Sequence, residues 1–324
     1  MRYVFLLNPA AGRQDSTKEL EAAARAALAR AGVPAGQWSI RRTAYKGHAR
    51  ELARAAAAAG GEITLFAAGG DGTFNEVLTG AKGCPGAAVG CIPAGSGNDF
   101  LRTFGTKADF LDLDAQLAGR PVTIDLMDTT LGLSAAVCAA GLDAQVAGGA
   151  AAYRHNPLFH GEAAYLLSAL RQICGPLGRR FRFEADGQVL EEDVLLCAVC
   201  NTRDYGGGFR AAPNARPDDG WLDLVAVRRA GRLKILSLLG CYKQGRHFEG
   251  GAIAPGLDRW FIHRRVRQVQ ITFPDGRGPV IATADGECAP VEKLSVRVLP
   301  GAARVVLPAG VRGQWAEAAA TAAK

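Results

Sequence analysis

Apolar positions along the chain follow two rhythms. In the first third, short strand-like runs alternate with alanine-rich helical stretches: YVFLL at 3–7, TKELEAAARAALARAG at 17–32, WSIRRT at 38–43, GHARELARAAAAAG at 47–60 and EITLFAAGG at 62–70. A β-α-β-α-β series of this kind predicts a parallel sheet covered by helices, with any ligand held by the loops at the strand C-termini. After about residue 122 the runs become shorter and extended: TIDLMDTTL, SAAVCAA, RRFRFEA, EEDVLLCAVCN, LDLVAV, VRQVQITF, PVIATAD and KLSVRVLP. These predict a second, mainly antiparallel β domain interrupted by helices near 161–173 and 232–245. The expected organisation is therefore an α/β domain over 1–122 and a β-rich domain over 123–304. The segment 305–324 packs back on the first domain, with the tail from Trp315 a short helix or frayed. No internal repeat or long linker is visible.

Composition narrows the class. The 324 residues are 48% hydrophobic and 21% charged, which excludes a disordered chain and supplies ample core. The 41 glycines and 15 prolines follow no G-X-Y period, so they are read as tight turns. No segment approaches the roughly 18 apolar residues of a membrane span, and the apolar run near the N-terminus is too short for a signal-peptide core. The expectation is a soluble protein, or one bound only at a membrane surface. The eight cysteines are scattered through mostly apolar runs and read as reduced core residues of a cytosolic chain. Cys197 and Cys200 have C-x-x-C spacing, but on a strand, positions three apart face opposite ways, which argues against a metal or redox pair.

Candidate chemistry is concentrated in glycine-rich loops. The run ITLFAAGGDGTFNEVLTG at 63–80 ends a strand in Gly69, Gly70, Asp71 and Gly72, and Thr73 with Glu76 has the spacing of a capping box opening a helix. Glycines let the backbone approach a ligand closely, and a helix N-terminus offers free N–H groups and a positive dipole end, so the geometry suits phosphate. Asp71 is out of place beside bare phosphate and implies a metal ion, a hydroxyl or a proton-transfer role; the competing reading is a plain glycine turn with a surface aspartate. A second loop, Cys91 to Phe100, repeats the strand, glycine turn and polar cap about 26 residues later. The loop Asn8 to Gly12 after the first strand has the same character, although Asn-Pro and Ala-Gly are ordinary turn dipeptides.

In this order and spacing, NPAAG, GGDGTFNEV and PAGSGNDF resemble the diacylglycerol/lipid kinase catalytic family, and the bacterial members without membrane spans most of all. Further matching segments are Thr43 before KGHARELA; Ile124-Asp125-Leu126; Gly141-Leu142-Asp143; Asn201 with glycines 206–208; ARPDDGWLD at 215–223; and Asp285-Gly286-Glu287. The resemblance implies a Rossmann-like parallel-sheet domain carrying nucleotide loops and an antiparallel β-sandwich domain. It implies transfer of the γ-phosphoryl group of ATP to the hydroxyl of diacylglycerol or a related lipid.

Carried over position by position, it places ATP on Asn8, Pro9, Ala10, Ala11, Gly12, Thr43, Gly69, Gly70, Asp71, Gly72, Thr73, Phe74, Asn75 and Ser96. It places the catalytic carboxylates at Asp285 and Glu287, either of which serves as the base, together with Asp71. DDGWLD corresponds to a magnesium loop, implying Mg²⁺ on the Asp219 carboxylate and the carbonyls of Arg216 and Trp221, oxygen ligands that suit a hard cation; an Asp-Gly turn before a strand is the competing reading. The resemblance further implies a network among Arg13, Asp125 and Asp143 across the domain cleft. Ala11 departs from a common serine, Ser96 from the usual threonine and Arg13 from a frequent lysine. None of these changes removes an essential functional group.

Other mechanisms lack their motifs: there is no G-x-x-x-x-G-K-[ST], G-x-G-x-x-G or G-x-S-x-G element, and the five histidines (48, 155, 160, 247, 263) show no HExxH. The net charge of +7 gathers partly in Arg179, Arg180 and Arg182 and in Arg259, His263, Arg264, Arg265 and Arg267. No nucleic-acid module accompanies these clusters, so the expected partners are the lipid substrate and an anionic membrane surface, with no nucleic acid, and a homodimer is allowed. The expected location is the cytoplasm, at the membrane periphery. The alternatives are a kinase of a soluble substrate related to NAD kinase, which shares GGDGT alone, and a non-catalytic nucleotide- or lipid-binding regulator.

Overall fold

The computed structural model describes residues 1–12, 14–95, 98–142, 144–146 and 177–311. The expected helix at 161–173, the tail from Trp315 and the candidate positions Arg13, Ser96 and Asp143 lie outside these residues. The chain forms two compact units, Met1–Asp125 with Pro300–Lys324 and Leu126–Leu299. The chain passes from the first unit to the second within β5 (Arg120–Thr129) and returns within β17 (Lys293–Leu307).

In the first unit, β1 (Arg2–Leu7), β2 (Trp38–Arg42), β3 (Ile63–Gly69) and β4 (Ala87–Pro93) form a parallel sheet in the order β2-β1-β3-β4, and the end of β17 joins it in parallel at Val305 beside Val89. Every residue of β3 and β4 is buried, as expected for central parallel strands covered on both faces. Helices α1 (Thr17–Arg30), α2 (His48–Ala58) and α3 (Asp71–Ala81) are the crossovers, followed by the short α4 (Asp99–Arg102), α5 (Lys107–Leu111) and α6 (Leu113–Leu117). Phe5, Leu7, Phe66 and Ile92 of the sheet pack on Ala24, Ala27 and Leu28 of α1 and on Leu113. The small alanine face lets α1 lie close, and Phe5 stacks on Phe66 with ring centroids 4.6 Å apart. The expected Thr73/Glu76 capping box does not form. Helix α3 starts earlier, with Gly70 as its N-cap and no side-chain cap, and Glu76 accepts the N–H groups of Gly47 and Ala49 at 2.8 and 3.2 Å, capping α2 instead.

The second unit contains β6 (Gly132–Ser134), β7 (Val137–Gly141), β8 (Arg179–Ala185), β9 (Gln188–Cys200), β10 (Leu222–Arg228), β11 (Phe248–Glu249), β12 (Ala252–Ile253), β13 (Phe261–Val266), β14 (Gln268–Thr272), β15 (Val280–Ala284) and β16 (Glu287–Val291). It also holds helix α7 (Arg232–Lys243). The 13-residue β9 serves both layers of the antiparallel sandwich. Its first half pairs with β8, and its second half lies between β7 and β10. From β8 one layer continues through β14 to β17, while the other runs through β7 to β15 and β16 and through β10 to β13. Phe181, Phe183, Cys197, Val199, Leu224, Ile271 and Leu294 fill the space between them. The run VRQVQITF is not one strand. It breaks at Arg267, where the Asp186 carboxylate accepts the N–H groups of Arg267 and Gln268 at 2.9 and 3.0 Å.

His247, fully buried against Phe261 at 4.7 Å, donates from Nε2 to the Ala211 carbonyl at 2.9 Å. Burial pushes its pKa down from 6.5 to about 4. The unfolded chain therefore binds a proton that the folded one refuses, and stability present above pH 6.5 drains away as the pH falls toward 4, by about 3 kcal/mol in all. Denaturant titrations across that window should show this loss in the wild type, and His247→Gln should flatten it.

Candidate functional site

Parallel strands in register bring their C-terminal ends to one edge. Here that edge collects Asn8–Gly12 after β1, Thr43 after β2, Gly70 and the start of α3 after β3, and Ala94 and Gly95 after β4. Asn8 ties the first loop down: its Oδ1 accepts from Ala10 N at 2.9 Å, and its Nδ2 donates to Thr73 Oγ1 at 2.9 Å. Thr43, buried, donates its N–H to the Leu7 carbonyl at 2.8 Å. The Gly69 carbonyl accepts from Ala94 N and Gly95 N at 3.0 and 3.1 Å and from Asn98 Nδ2 at 3.0 Å, drawing the second glycine loop against the first.

The crowding requires glycine at two positions above all. A Cβ on Gly95 would stand 2.6 Å from the Gly70 Cα, and one on Gly12, whose φ is +81°, would stand 2.7 Å from the Ala94 oxygen. The outer side of Gly70 is open, its own Cβ direction meeting nothing nearer than 3.7 Å. The result is a backbone-walled cradle at the N-terminus of an 11-residue helix that has no side-chain cap. Free N–H groups and the positive end of the dipole suit an anion. The Lys107 ammonium lies 3.4 Å from the Gly95 carbonyl at the same loop. These features fit a nucleotide polyphosphate.

Asp71 takes the N–H of Asn98 at 2.6 Å and that of Phe100 at 3.4 Å, so its carboxylate aligns the second loop with α3. Phe74, expected at the nucleotide, is buried and packs on Phe100 with centroids 4.6 Å apart, while Asn75 accepts from Thr79 Oγ1. Burial, with the Asp71 charge nearby, pushes the Cys91 thiol well up, and Cys91 is an inert core residue.

In the second unit, Asp285 sits at φ +47° and its carboxylate accepts from Ser134 Oγ at 2.8 Å and from the N–H groups of Ala135, Ala136 and Val137 at 2.7, 3.0 and 3.2 Å. Asn201, buried, holds the same β6–β7 turn from its other side by donating to the Ala135 carbonyl at 2.8 Å. Glu287, two residues on at the start of β16, is exposed. The two carboxylates left equivalent by sequence thus differ: one is built into the turn, the other faces solvent. Asp125 accepts the Gly301 N–H at 2.8 Å within the first unit.

Asp219 accepts the Trp221 N–H on Oδ1 at 3.0 Å and pairs through Oδ2 with Arg265, whose guanidinium also lies 5.4 Å over the Trp221 ring. Arg216 bonds Asp218 at 3.3 Å. The donor types suit a hard cation, and the Asp219 carboxylate keeps lone pairs beyond those taken by the Trp221 N–H and the Arg265 guanidinium. Among the described residues no three His, Cys, Asp or Glu side chains group to hold a metal. Nothing in the sequence pairs Arg265 with Asp219, 46 positions apart; Asn98, by contrast, was visible inside PAGSGNDF.

Comparison with known proteins follows the two-unit division. Residues 2–129 match the diacylglycerol kinase catalytic domain family, and residues 136–307 match the YegS C-terminal NAD kinase beta sandwich-like domain. A protein of Pseudomonas aeruginosa PAO1 named "Probable lipid kinase YegS-like" is 32% identical over 92% of this chain and 93% of its own length. A "Diacylglycerol kinase" of Mycobacterium tuberculosis H37Rv is 30% identical over 78% of this chain and 80% of its own. The crystal structure of a diacylglycerol kinase from Bacillus anthracis str. Sterne shares the fold, with a TM-score of 0.68 at 19% identity over 96% of this chain and 98% of that one.

The two anchored positions have measurable consequences. Gly12→Ala should lower the stability of the first unit by about 1–3 kcal/mol, from strain at positive φ and a backbone clash, read by chemical denaturation. Asp285→Ala should cost a similar amount, about 1–3 kcal/mol, because buried N–H donors of the β6–β7 turn lose their acceptor.

Proposed function

This chain belongs to the diacylglycerol kinase catalytic family with a YegS-type C-terminal domain, and we propose on that footing that it is an ATP-dependent lipid kinase. The acceptor is the hydroxyl of diacylglycerol or a related lipid alcohol, met at a membrane surface. The observation that carries the nucleotide half of the reading is the glycine-walled cradle at the uncapped N-terminus of α3, with Lys107 beside it. The acceptor class comes from the family.

When bound, ATP, accompanied by Mg²⁺, supplies the γ-phosphoryl group. Phosphoryl transfer asks the protein chiefly for positioning and charge stabilisation. The N–H groups at the head of α3 and the Lys107 ammonium would meet the polyphosphate charge. Asn8 and Asp71 act as positioning residues, because each fixes one loop against α3 through the bonds described. Thr43, at the end of β2 beside the Asn8 loop, would border the nucleoside side of the same edge.

Glu287 is the better base. A general base must accept the hydroxyl proton as the oxygen attacks phosphorus. The Asp285 carboxylate is held by four donors of the turn, and Glu287, exposed at the strand start, is the more accessible to an incoming hydroxyl. Asp285 then serves by holding the β6–β7 turn.

Transfer of labelled phosphate from ATP to a panel of lipid alcohols in mixed micelles tests the reading. Product should form on one lipid class. Glu287→Gln should lower kcat by roughly 10²–10⁴-fold with the melting temperature unchanged, while Asp285→Asn should lower activity and melting temperature together. Full activity in a folded Glu287→Gln variant would remove the base assignment, and transfer to soluble substrates alone would overturn the lipid reading.

A further inference from the structure

The basic strands singled out in the sequence are largely neutralised on their own sheets. Arg182 bonds Glu184 and Glu191 at 3.0 and 3.1 Å, Arg179 pairs with Asp275, His263 bonds Asp223 at 2.6 Å, and Arg265 pairs with Asp219. A different surface keeps an excess of positive charge and joins it to exposed apolar side chains: the head of α7.

Helix α7 buries Ile235, Leu238 and Tyr242 against its unit. On the other side Leu233 is 87% exposed and Leu236 is 55% exposed. Positions 233 and 236 are three apart, so they stand next to each other on one face. The first turn carries Arg232 and Lys234 and no acidic residue, the reverse of what the helix dipole favours. Trp260 lies alongside, with the Lys234 ammonium 5.7 Å and the Arg259 guanidinium 5.3 Å from its ring centroid.

A recess beside the helix head is lined by Arg228, Arg229, Arg232, Arg259 and Trp260, with Glu192 and Asp193 as its acids. Glu192 is bonded to Arg228 at 2.8 Å, and Asp193 lies 3.8 Å from Arg180. One further acid among the described residues, Asp258, adjoins Arg259. Among the described residues the balance at the helix head remains positive through Arg229, Lys234 and Arg259.

We propose that this patch is a docking surface for an anionic lipid bilayer, with Leu233 and Leu236 entering the headgroup–acyl boundary and the surrounding cations meeting lipid phosphates. Exposed leucines on the same helix as Lys234, which lies over Trp260, and beside the arginine-lined recess match an interface that is apolar below and negative above. The assignment rests on the lipid kinase reading for its purpose, since an enzyme of that kind must reach a substrate dissolved in a membrane. Its test does not depend on turnover.

The full-length protein is sedimented with phosphatidylcholine vesicles containing or lacking phosphatidylglycerol, while lipid phosphorylation is measured separately in detergent mixed micelles. The wild type should bind the anionic vesicles and leave the neutral ones. Leu233→Glu/Leu236→Glu should weaken binding at least tenfold. Arg229→Ala/Arg259→Ala should weaken it on the order of 20- to 30-fold, each cation near such a surface contributing about a factor of five. All four positions are exposed, so circular dichroism and activity in micelles should match the wild type.

No binding by the wild type, or equal binding by wild type and both variants, would overturn the docking surface. So would a dimer abolished by the leucine substitutions with vesicle binding intact, which would assign the face to a second copy. Absence of lipid phosphorylation in micelles alongside variant-sensitive vesicle binding would reject the kinase reading and leave the surface standing.

Discussion

One carbonyl oxygen governs the nucleotide edge of the first unit. The Gly69 oxygen receives two backbone N–H groups and one side-chain amide from the loop after β4, and so it holds two glycine loops at contact distance. Everything nearby accommodates that closeness. Gly95 has no room for a Cβ against Gly70, Gly12 none against Ala94, and α3 must begin without a side-chain cap because its head faces the space these loops enclose. Parallel pairing makes the arrangement possible by delivering four strand ends to one edge; the glycines let the backbones meet there.

Much of this was legible in order and spacing. The alternation of YVFLL, the alanine-rich helices and ITLFAAGG dictates a covered parallel sheet, and three glycine loops after strands one, three and four point to the same edge. The second half was legible as antiparallel β structure because RRFRFEA alternates and EEDVLLCAVCN turns from polar to apolar midway. That midway change is where β9 passes from an edge partner on β8 to a central place between β7 and β10.

What could not be read depends on partners distant in sequence. Glu76 has capping-box spacing to Thr73, yet its carboxylate caps α2, 27 and 29 positions away; local spacing does not reveal which helix end lies nearer. Asp285 and Glu287 are chemically alike in the chain, and only the β6–β7 turn, some 150 residues earlier, separates the anchored carboxylate from the exposed one. Arg265 on Asp219 belongs to the same class. Basic residues on strands looked like a binding surface because several of their acidic partners, Asp275 for Arg179, Asp223 for His263 and Asp219 for Arg265, lie far off in sequence.

The sharing of β9 between the two layers of the second unit has a consequence for how that unit comes apart. Neither layer can peel away without breaking pairs on the strand that the other layer also uses, so partial opening at β9 disrupts both at once. The amide hydrogens of Leu196–Cys200, buried and paired on both sides, accordingly belong to the slowest-exchanging set, released only by unfolding of the whole sandwich. Edge elements such as β16 and the β11–β12 hairpin open independently of it.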